Sequence, residues 1–320
     1  MAEFNAVDVT ILSHIDQTRT STQYAPMSEP DFAIMETSLV AMAKLGVEAV
    51  TYLTNEIQAN EELRSIENGV VGFDTEFVKR VLVGDEDMIN EIPTMAVPYK
   101  KAARTAFQLL EARRPGFVPD WEHAGLCLVQ IAHGNRVWVL NICRIKAIPS
   151  ELQRILTSTA ITKSGAGVSN DAMVLWEDAR IQVNQMADVG LMTRLLQVDI
   201  HPDDAFTHLA LETAATDILN ITMDKTYQKS VNWKLDPHEA HIAYAALDAV
   251  VSLRIFERLD VELSAVKQRH DVVFSKTWYT FNSTLGEPVR SRKSVRNEDI
   301  PWSTKDCSWF SGGKFQGRYY

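Results

Sequence analysis

The chain lacks several features that mark particular classes of protein. Its 320 residues include three cysteines and no C-x-x-C pair, which excludes a disulfide framework and a thiolate zinc site. No run of about 18 apolar residues occurs, and the N-terminus has no basic segment ahead of an apolar one. We therefore expect a soluble, intracellular protein, in nucleus or cytoplasm, with no membrane partner.

Positive charge is also in deficit. The chain has 32 Lys and Arg against 42 Asp and Glu, for a formal net charge of −10. This balance argues against a protein that coats nucleic acid through bulk charge. Most of the excess lies in residues 1–69, which carry 11 acidic and 3 basic side chains. The net charge therefore excludes tight binding of nucleic acid when no metal is bound. It does not exclude a local contact between nucleic acid and the rest of the chain.

The composition and its shifts predict three parts. We expect an acidic, largely helical extension over residues 1–67, a folded domain over 68–268 with an insertion at about 78–122, and a basic, partly irregular extension over 269–320. The helical prediction for the first part depends on apolar residues at roughly helical spacing: Ala41, Leu45, Val50 and Leu53.

The central part begins with strands and continues with alternating elements. Residues 70–77 are β-branched and aromatic, as in a buried strand, and residues 125–132 and 136–142 resemble a hairpin. Helices and strands then alternate up to a long helix at about 237–268. This order predicts an α/β fold with a mixed, five-stranded sheet flanked by helices.

Two acids on the first of these strands form a candidate metal-binding pair. Asp74 and Glu76 are two residues apart, so the period of a strand places both carboxylates on one face. The same spacing recurs at Asp260 and Glu262, but in a helix such residues project roughly 200° apart and cannot share an ion. The structural context therefore favours the first pair.

Three further residues complete a candidate site. Asp171 lies where a Gly-rich strand end turns into a helix, and helix capping alone would also explain it. Tyr244 and Asp248 are one turn apart on the long helix, which is apolar on both sides. A buried carboxylate needs a partner, and a divalent cation would serve; the alternative is a Tyr–Asp surface pair.

Carboxylate oxygens are ligands that Mg²⁺ and Mn²⁺ prefer, whereas zinc would usually recruit His or Cys. Two such ions about 3.5–4 Å apart can acidify a water and stabilise both the attacking and the leaving oxygens of a phosphodiester displacement. A neutral tyrosine hydroxyl nearby can orient the attacking water.

These motifs resemble the 3′→5′ exonuclease family that includes ribonuclease D and the Werner-syndrome exonuclease domain, in the tyrosine branch of the DEDD superfamily. The resemblance covers roughly residues 68–262 and extends to a Lys followed by Ser-x-x-Trp, present here as Lys225, Ser230 and Trp233. Its motifs appear as G-F-D-T-E-F (72–77), G-A-G-V-S-N-D-A-M-V-L (165–175) and Y-A-A-L-D-A (244–249).

The resemblance implies a ribonuclease H-like fold, two divalent cations and nucleoside monophosphates as products. It assigns one cation to Asp74, Glu76 and Asp248, and the second to Asp74 and Asp171. Tyr244 would orient the attacking water. The histidine branch has His where this chain has Ala243, so the tyrosine branch is the better match.

Contacts to substrate are less well marked. Phe77, beside the metal pair, could wedge against a terminal base. Lys100, Lys101 and Arg104 could touch phosphates or form an ordinary solvated helix face. His238 and His241 could bind zinc or serve a surface or capping role.

We expect a 3′→5′ exonuclease acting on single-stranded or frayed RNA or DNA. The alternative is a catalytically silent relative that binds RNA or a protein as a scaffold. Intact acids argue against that alternative.

Overall fold

The computed structural model describes residues 27–78, 119–121, 124–196, 209–270, 281–282 and 287–288. Its strands are β1 (Ala49–Leu53), β2 (Gly69–Phe77), β3 (Leu126–His133), β4 (Arg136–Asn141), β5 (Ile161–Gly165), β6 (Met186–Asp188), β7 (Phe281–Asn282) and β8 (Glu287–Pro288). Its helices are α1 (Glu29–Lys44), α2 (Glu56–Leu63), α3 (Ile142–Ile145), α4 (Ser150–Thr157), α5 (Val168–Ala179), α6 (Val189–Leu196), α7 (Leu211–Ala214), a π-helical turn (Ala215–Leu219), α8 (Tyr227–Ser230) and α9 (Glu239–His270).

Strands β1 to β6 form one sheet in the order β1-β4-β3-β2-β5-β6. Strand β3 runs antiparallel to both of its neighbours, and the pairs β1–β4, β2–β5 and β5–β6 are parallel. The α/β class, the mixed sheet flanked by helices and the ribonuclease H-like fold are therefore confirmed. Strand β2, which carries Asp74 and Glu76, lies inside the sheet with a partner on each side.

The sheet has six strands where five are predicted, and the additional strand is β1 at one edge. The helical spacing predicted through Val50 and Leu53 is wrong there, because Gly46 with a φ of 76° follows α1 and the chain then enters an extended run. That run includes Val50, Thr51 and Tyr52, β-branched and aromatic residues that suit a strand. Residues 29–44 and 56–63 are helical, and the division of the chain into three parts stays a prediction.

Helices cover both faces of the sheet. Helices α1 and α9 pack on one face, where the core includes Met42, Leu128 and Val139. Helices α2, α4 and α5 pack on the other, with Phe73 and Ile131. None of the helices in the described part of the chain combines the length and apolar character needed to cross a bilayer.

Helix α9 approaches β2 as closely as two backbones allow. A Cβ added to Gly72 would lie 1.9 Å from the carbonyl oxygen of Ala249 and 3.0 Å from the Cβ of Leu253. Helix α9 is lined with small residues in this region, and Ala245, Ala246 and Ala249 are all at 0% exposure. Only glycine at position 72 permits this contact, and the contact places Asp248 next to the strand that carries Asp74 and Glu76.

Replacement of Gly72 by Ala should therefore destabilise the protein strongly, by about 3 kcal/mol or more, because the clash is with backbone and not with a movable side chain. The free energy of unfolding from urea titration measures the effect. Gly134→Ala is the matched control. Gly134 has a φ of 58° and no atom near its added Cβ, so we expect only the left-handed backbone cost of about 1–2 kcal/mol. Equal losses in the two variants would contradict the packing argument.

Candidate active site

Three carboxylates from two elements meet where α9 crosses β2. One oxygen each from Asp74, Glu76 and Asp248 lies within 4.8 Å of the other two. Glu76 and Asp248 are 9% and 6% exposed. Three carboxylate oxygens at this separation, largely shielded from water, are a suitable ligand set for a hard divalent cation.

Asp171 joins this group through Thr75. Its Oδ1 accepts hydrogen bonds from the backbone N–H and the hydroxyl of Thr75, at 3.2 and 2.6 Å. Thr75 stands between Asp74 and Glu76 in the chain, so these bonds fasten Asp171 to the strand that carries both acids. The bonds engage Oδ1 and leave Oδ2 outside them. The sequence analysis gave Thr75 no role, although a hydroxyl residue between the two acids was an available clue.

Two glycines in the strand-to-helix turn position Asp171. A Cβ on Gly165 would lie 2.6 Å from the carbonyl oxygen of Phe73, so glycine lets β5 end close against β2. Gly167 then takes a φ of 67° as α5 begins. Its N–H donates to the buried carboxylate of Asp188 at 3.0 Å, which holds the turn. Asp171 is thereby placed in the first turn of α5, 5% exposed.

A lysine forms an ion pair with one of the three clustered acids. The Nζ of Lys225 lies 2.9 and 3.1 Å from the two oxygens of Asp248, and 5.5 Å from the centroid of the Tyr244 ring. The side chains of Lys225 and Asp248 are 18% and 8% exposed. Sequence reasoning included Lys225 only as part of a stretch typical of the exonuclease family, without this contact.

Burial is the main influence on the protonation of the acids. Burial, followed by the negative charges of Asp171, Asp248 and Glu76, raises the pKa of Asp74. Burial, followed by the charge of Asp248, raises the pKa of Glu76. Burial also raises the pKa of Asp171 to about 7, although the bonds from Thr75 act in the opposite direction. Such a cluster gains stability from bound positive charge, so the donor set and its electrostatics fit divalent cations.

Tyr244 has a fixed ring and an unused hydroxyl. The ring stacks on Trp233 at 6.3 Å between centroids and meets the edge of Tyr227 at 5.8 Å. Its hydroxyl is buried and has no hydrogen-bond partner within the described residues. Burial, followed by the charge of Asp248, raises the pKa of Tyr244, so the phenol is neutral at physiological pH and can donate a proton in a hydrogen bond.

His238 and His241 belong to an aromatic cluster beside Tyr244. Their rings stack at 3.5 Å between centroids, and Tyr227 meets His241 edge-on at 4.6 Å. Among the described residues, neither histidine is part of a group of three potential metal ligands. Burial, followed by the neighbouring His238, lowers the pKa of His241 to about 4. The pair thus contributes to packing around Tyr244.

The predicted substrate contacts have different outcomes. Phe77 is 41% exposed and follows Glu76 at a β-bulge, where the pairing with β3 shifts register. Its exposed ring next to the carboxylates is compatible with a contact to a base. Lys100, Lys101 and Arg104 lie outside the described residues, and their role stays a prediction.

The raised pKa of Asp171 predicts how stability depends on pH. A carboxyl whose pKa is about 7 in the folded protein, against 3.8 for an unperturbed aspartate, binds protons more tightly when the chain is folded. It therefore disfavours folding increasingly as the pH rises from about 4 towards 7. In EDTA, we expect the melting temperature to fall between pH 5 and pH 7.5, and to fall less in Asp171→Asn, whose amide oxygen can still accept from Thr75.

Thermal melts of both proteins across this pH range, with Asp260→Asn as the control, make the comparison. The control should keep the full dependence on pH. An unchanged dependence in Asp171→Asn would show that Asp171 does not titrate in this range.

Parts of the chain are similar to known proteins. Residues 122–264 match the family model for the 3′-5′ exonuclease, a match that begins after Asp74 and Glu76. The chain is 25% identical over 217 residues to exonuclease 3′-5′ domain-containing protein 2 of Drosophila melanogaster, covering 59% of this chain and 35% of the relative. It is 31% identical over 141 residues to the human protein of that name, covering 42% of this chain and 22% of the relative. The matches thus span about a third or less of these relatives.

Solved structures of nucleases are also similar to the chain. The catalytic core of RRP6 from Trypanosoma brucei is 14% identical with a TM-score of 0.48, over 68% of this chain and 48% of that one. RNase D of Escherichia coli is 19% identical with a TM-score of 0.47, over 69% and 47%. Of these comparisons, the family match is the most informative: residues 122–264 of the chain match the model of the 3′-5′ exonuclease family.

Proposed function

We propose that the chain is a metal-dependent 3′→5′ exonuclease of the tyrosine branch of the DEDD superfamily. It would hydrolyse the terminal phosphodiester of single-stranded or frayed nucleic acid and release nucleoside 5′-monophosphates. The observation that carries the proposal is the grouping of Asp74, Glu76 and Asp248 within 4.8 Å, with Tyr244 one helical turn before Asp248. The match of residues 122–264 to the exonuclease family supports it.

The acids would hold two cations, Mg²⁺ or Mn²⁺. Asp74, Glu76 and Asp248 would bind one, and Asp74 with Oδ2 of Asp171 would bind the other. When bound, the two ions would acidify a water and stabilise the charge on the attacking and departing oxygens. Thr75 keeps Asp171 in place by occupying Oδ1, so the carboxylate meets a cation with little loss of side-chain freedom.

Tyr244 would orient the nucleophile. Its neutral hydroxyl can donate a hydrogen bond to the attacking water, and its ring is held by Trp233 and Tyr227. The water oxygen attacks phosphorus, and the bond from phosphorus to the 3′-oxygen of the penultimate nucleotide breaks. That oxygen leaves with a proton, and the terminal nucleotide carries the phosphate away on its 5′-oxygen. Tyr244→Phe should therefore retain some activity, because the hydroxyl positions the water without itself reacting.

A scaffold without activity is the less favoured alternative. A protein with no catalysis to perform has no need to keep buried acids together, since uncompensated carboxylates cost stability. The four acids and Tyr244 are all present in this chain, and no observation on the described residues favours the alternative.

Loss of a single clustered acid should abolish cleavage. We expect Asp74→Asn and Asp248→Asn each to reduce the rate by about 1,000-fold or more, because several kcal/mol of transition-state stabilisation depend on the cations. The measurement is the stepwise shortening of a 5′-labelled oligonucleotide with Mg²⁺ or Mn²⁺, and it should stop in EDTA. Matched RNA and DNA strands in the same assay identify the preferred sugar.

Asp260→Asn is the matched control, since Asp260 has the same D-x-E spacing on a distant part of α9. It should cleave at the rate of the unmodified protein. Cleavage by Asp74→Asn at the normal rate would remove the proposed function.

Phe77 tests the contact with the terminal base. If its exposed ring stacks on a base, Phe77→Ala should weaken binding by about 1–3 kcal/mol and raise KM by about 5- to 150-fold. Phe77→Trp should retain most of the affinity, because it keeps an aromatic face. Steady-state kinetics on a short oligonucleotide separate KM from kcat. An unchanged KM in Phe77→Ala would place the base elsewhere.

A further inference from the structure

We propose that Lys225 is the internal counter-ion of the clustered carboxylates: its ammonium holds Asp248 while no divalent cation is bound, and an incoming cation has to displace it. Lys225 would thus control the affinity of the site for metal. This inference rests on the proposed function, because it assumes that Asp248 is a ligand.

The ammonium of Lys225 contacts both oxygens of one carboxylate. Nζ contacts both oxygens of Asp248, at 2.9 and 3.1 Å. A cation that takes an Asp248 oxygen therefore has to share or break at least one of these contacts. The ammonium and the cation consequently compete for the same carboxylate.

The ion pair of Lys225 and Asp248 is largely buried and lies beside other acids. The side chains of Lys225 and Asp248 are 18% and 8% exposed, so the pair is poorly solvated and stronger than one on the surface. An oxygen of Asp248 lies within 4.8 Å of oxygens from Asp74 and Glu76. The charges of Asp74 and Glu212 also act on the lysine. One ammonium therefore neutralises part of a cluster that would otherwise repel itself.

Lys225 also lies close to the aromatic ring of Tyr244. Its Nζ lies 5.5 Å from the centroid of the Tyr244 ring, within the range of a cation–π contact. The ammonium makes this contact while it holds Asp248, and the aromatic ring can continue to stabilise it after Asp248 is released. The displaced lysine stays beside the residues that would handle the substrate.

Lys225→Met tests the inference without relying on activity. The substitution removes the charge and keeps most of the side-chain length. In EDTA, its melting temperature should be several degrees below that of the unmodified protein, because the acids lose their counter-ion. Its affinity for Mn²⁺, measured by the free-ion EPR signal during titration, should rise about tenfold, because the competitor is gone. Lys44→Met, on the exposed side of α1, should change neither value.

A second variant covers the case in which Lys225→Met does not fold. Lys225→Gln can still donate to Asp248 but carries no charge, and it should also bind Mn²⁺ more tightly. Lys225→Arg, which keeps the charge, should bind Mn²⁺ close to the normal affinity. Affinity that is unchanged or weaker in Lys225→Gln would overturn the inference, as would an unchanged melting temperature of Lys225→Met in EDTA.

The Mn²⁺ titrations, together with the cleavage assay, distinguish failure of the role of Lys225 from failure of the proposed function. If the unmodified chain binds no Mn²⁺ and Asp74→Asn cleaves normally, the metal centre and the proposed function fail together with the role of Lys225. If the unmodified chain binds Mn²⁺ and the charge-removing variants bind it equally well, only the role of Lys225 fails.

Discussion

The contact between helix α9 and strand β2 determines the arrangement of the candidate active site. At Gly72, the strand has no side chain, and the backbone of the helix at Ala249 comes into direct contact with it. Asp248 precedes Ala249 in the helix, and Asp74 follows Gly72 by two residues along the strand. A wider separation between the two elements would move Asp248 away from Asp74 and Glu76, and the three carboxylates would then be too far apart to bind one cation.

This close packing has an electrostatic cost. It gathers carboxylates in a region with little water, and burial raises the pKa of each of them. The structure offsets part of the cost with two contacts, the ion pair of Lys225 with Asp248 and the hydrogen bonds of Thr75 to Asp171. Sites of this kind sacrifice stability for a preorganised charge distribution, which bound cations then neutralise.

Helix α1 and strand β1 contact the elements that carry the candidate site, which their composition does not indicate. The hydroxyl of Tyr227 donates a hydrogen bond to Asp31 of α1, and the ring of Tyr227 packs against Tyr244. Strand β1 extends the sheet, and the hydroxyl of Tyr52 donates to Asp236 ahead of α9. Residues 29–53 thus support the elements that carry the candidate site, although their acidic character and local spacing predict a separate helical extension.

Properties that depend on local periodicity can be read from the sequence alone. The period of a strand places Asp74 and Glu76 on one face, and the period of a helix places Tyr244 one turn from Asp248 and separates Asp260 from Glu262. The residue types also determined the chemistry, since clustered carboxylates favour hard cations. These properties belong to short segments and do not require knowledge of the fold.

The contacts between distant residues follow only from the way in which the helices and strands pack. Thr75 and Asp171 are 96 positions apart, and Lys225 reaches Asp248 from a separate segment of the chain. Strand β1 depends on packing in the same way, because a run of five mostly apolar residues fits a helix or a strand until a partner such as β4 satisfies its backbone. Hydrogen bonds and ion pairs between elements depend on how the elements pack, and the local pattern of residues contains no information about that packing.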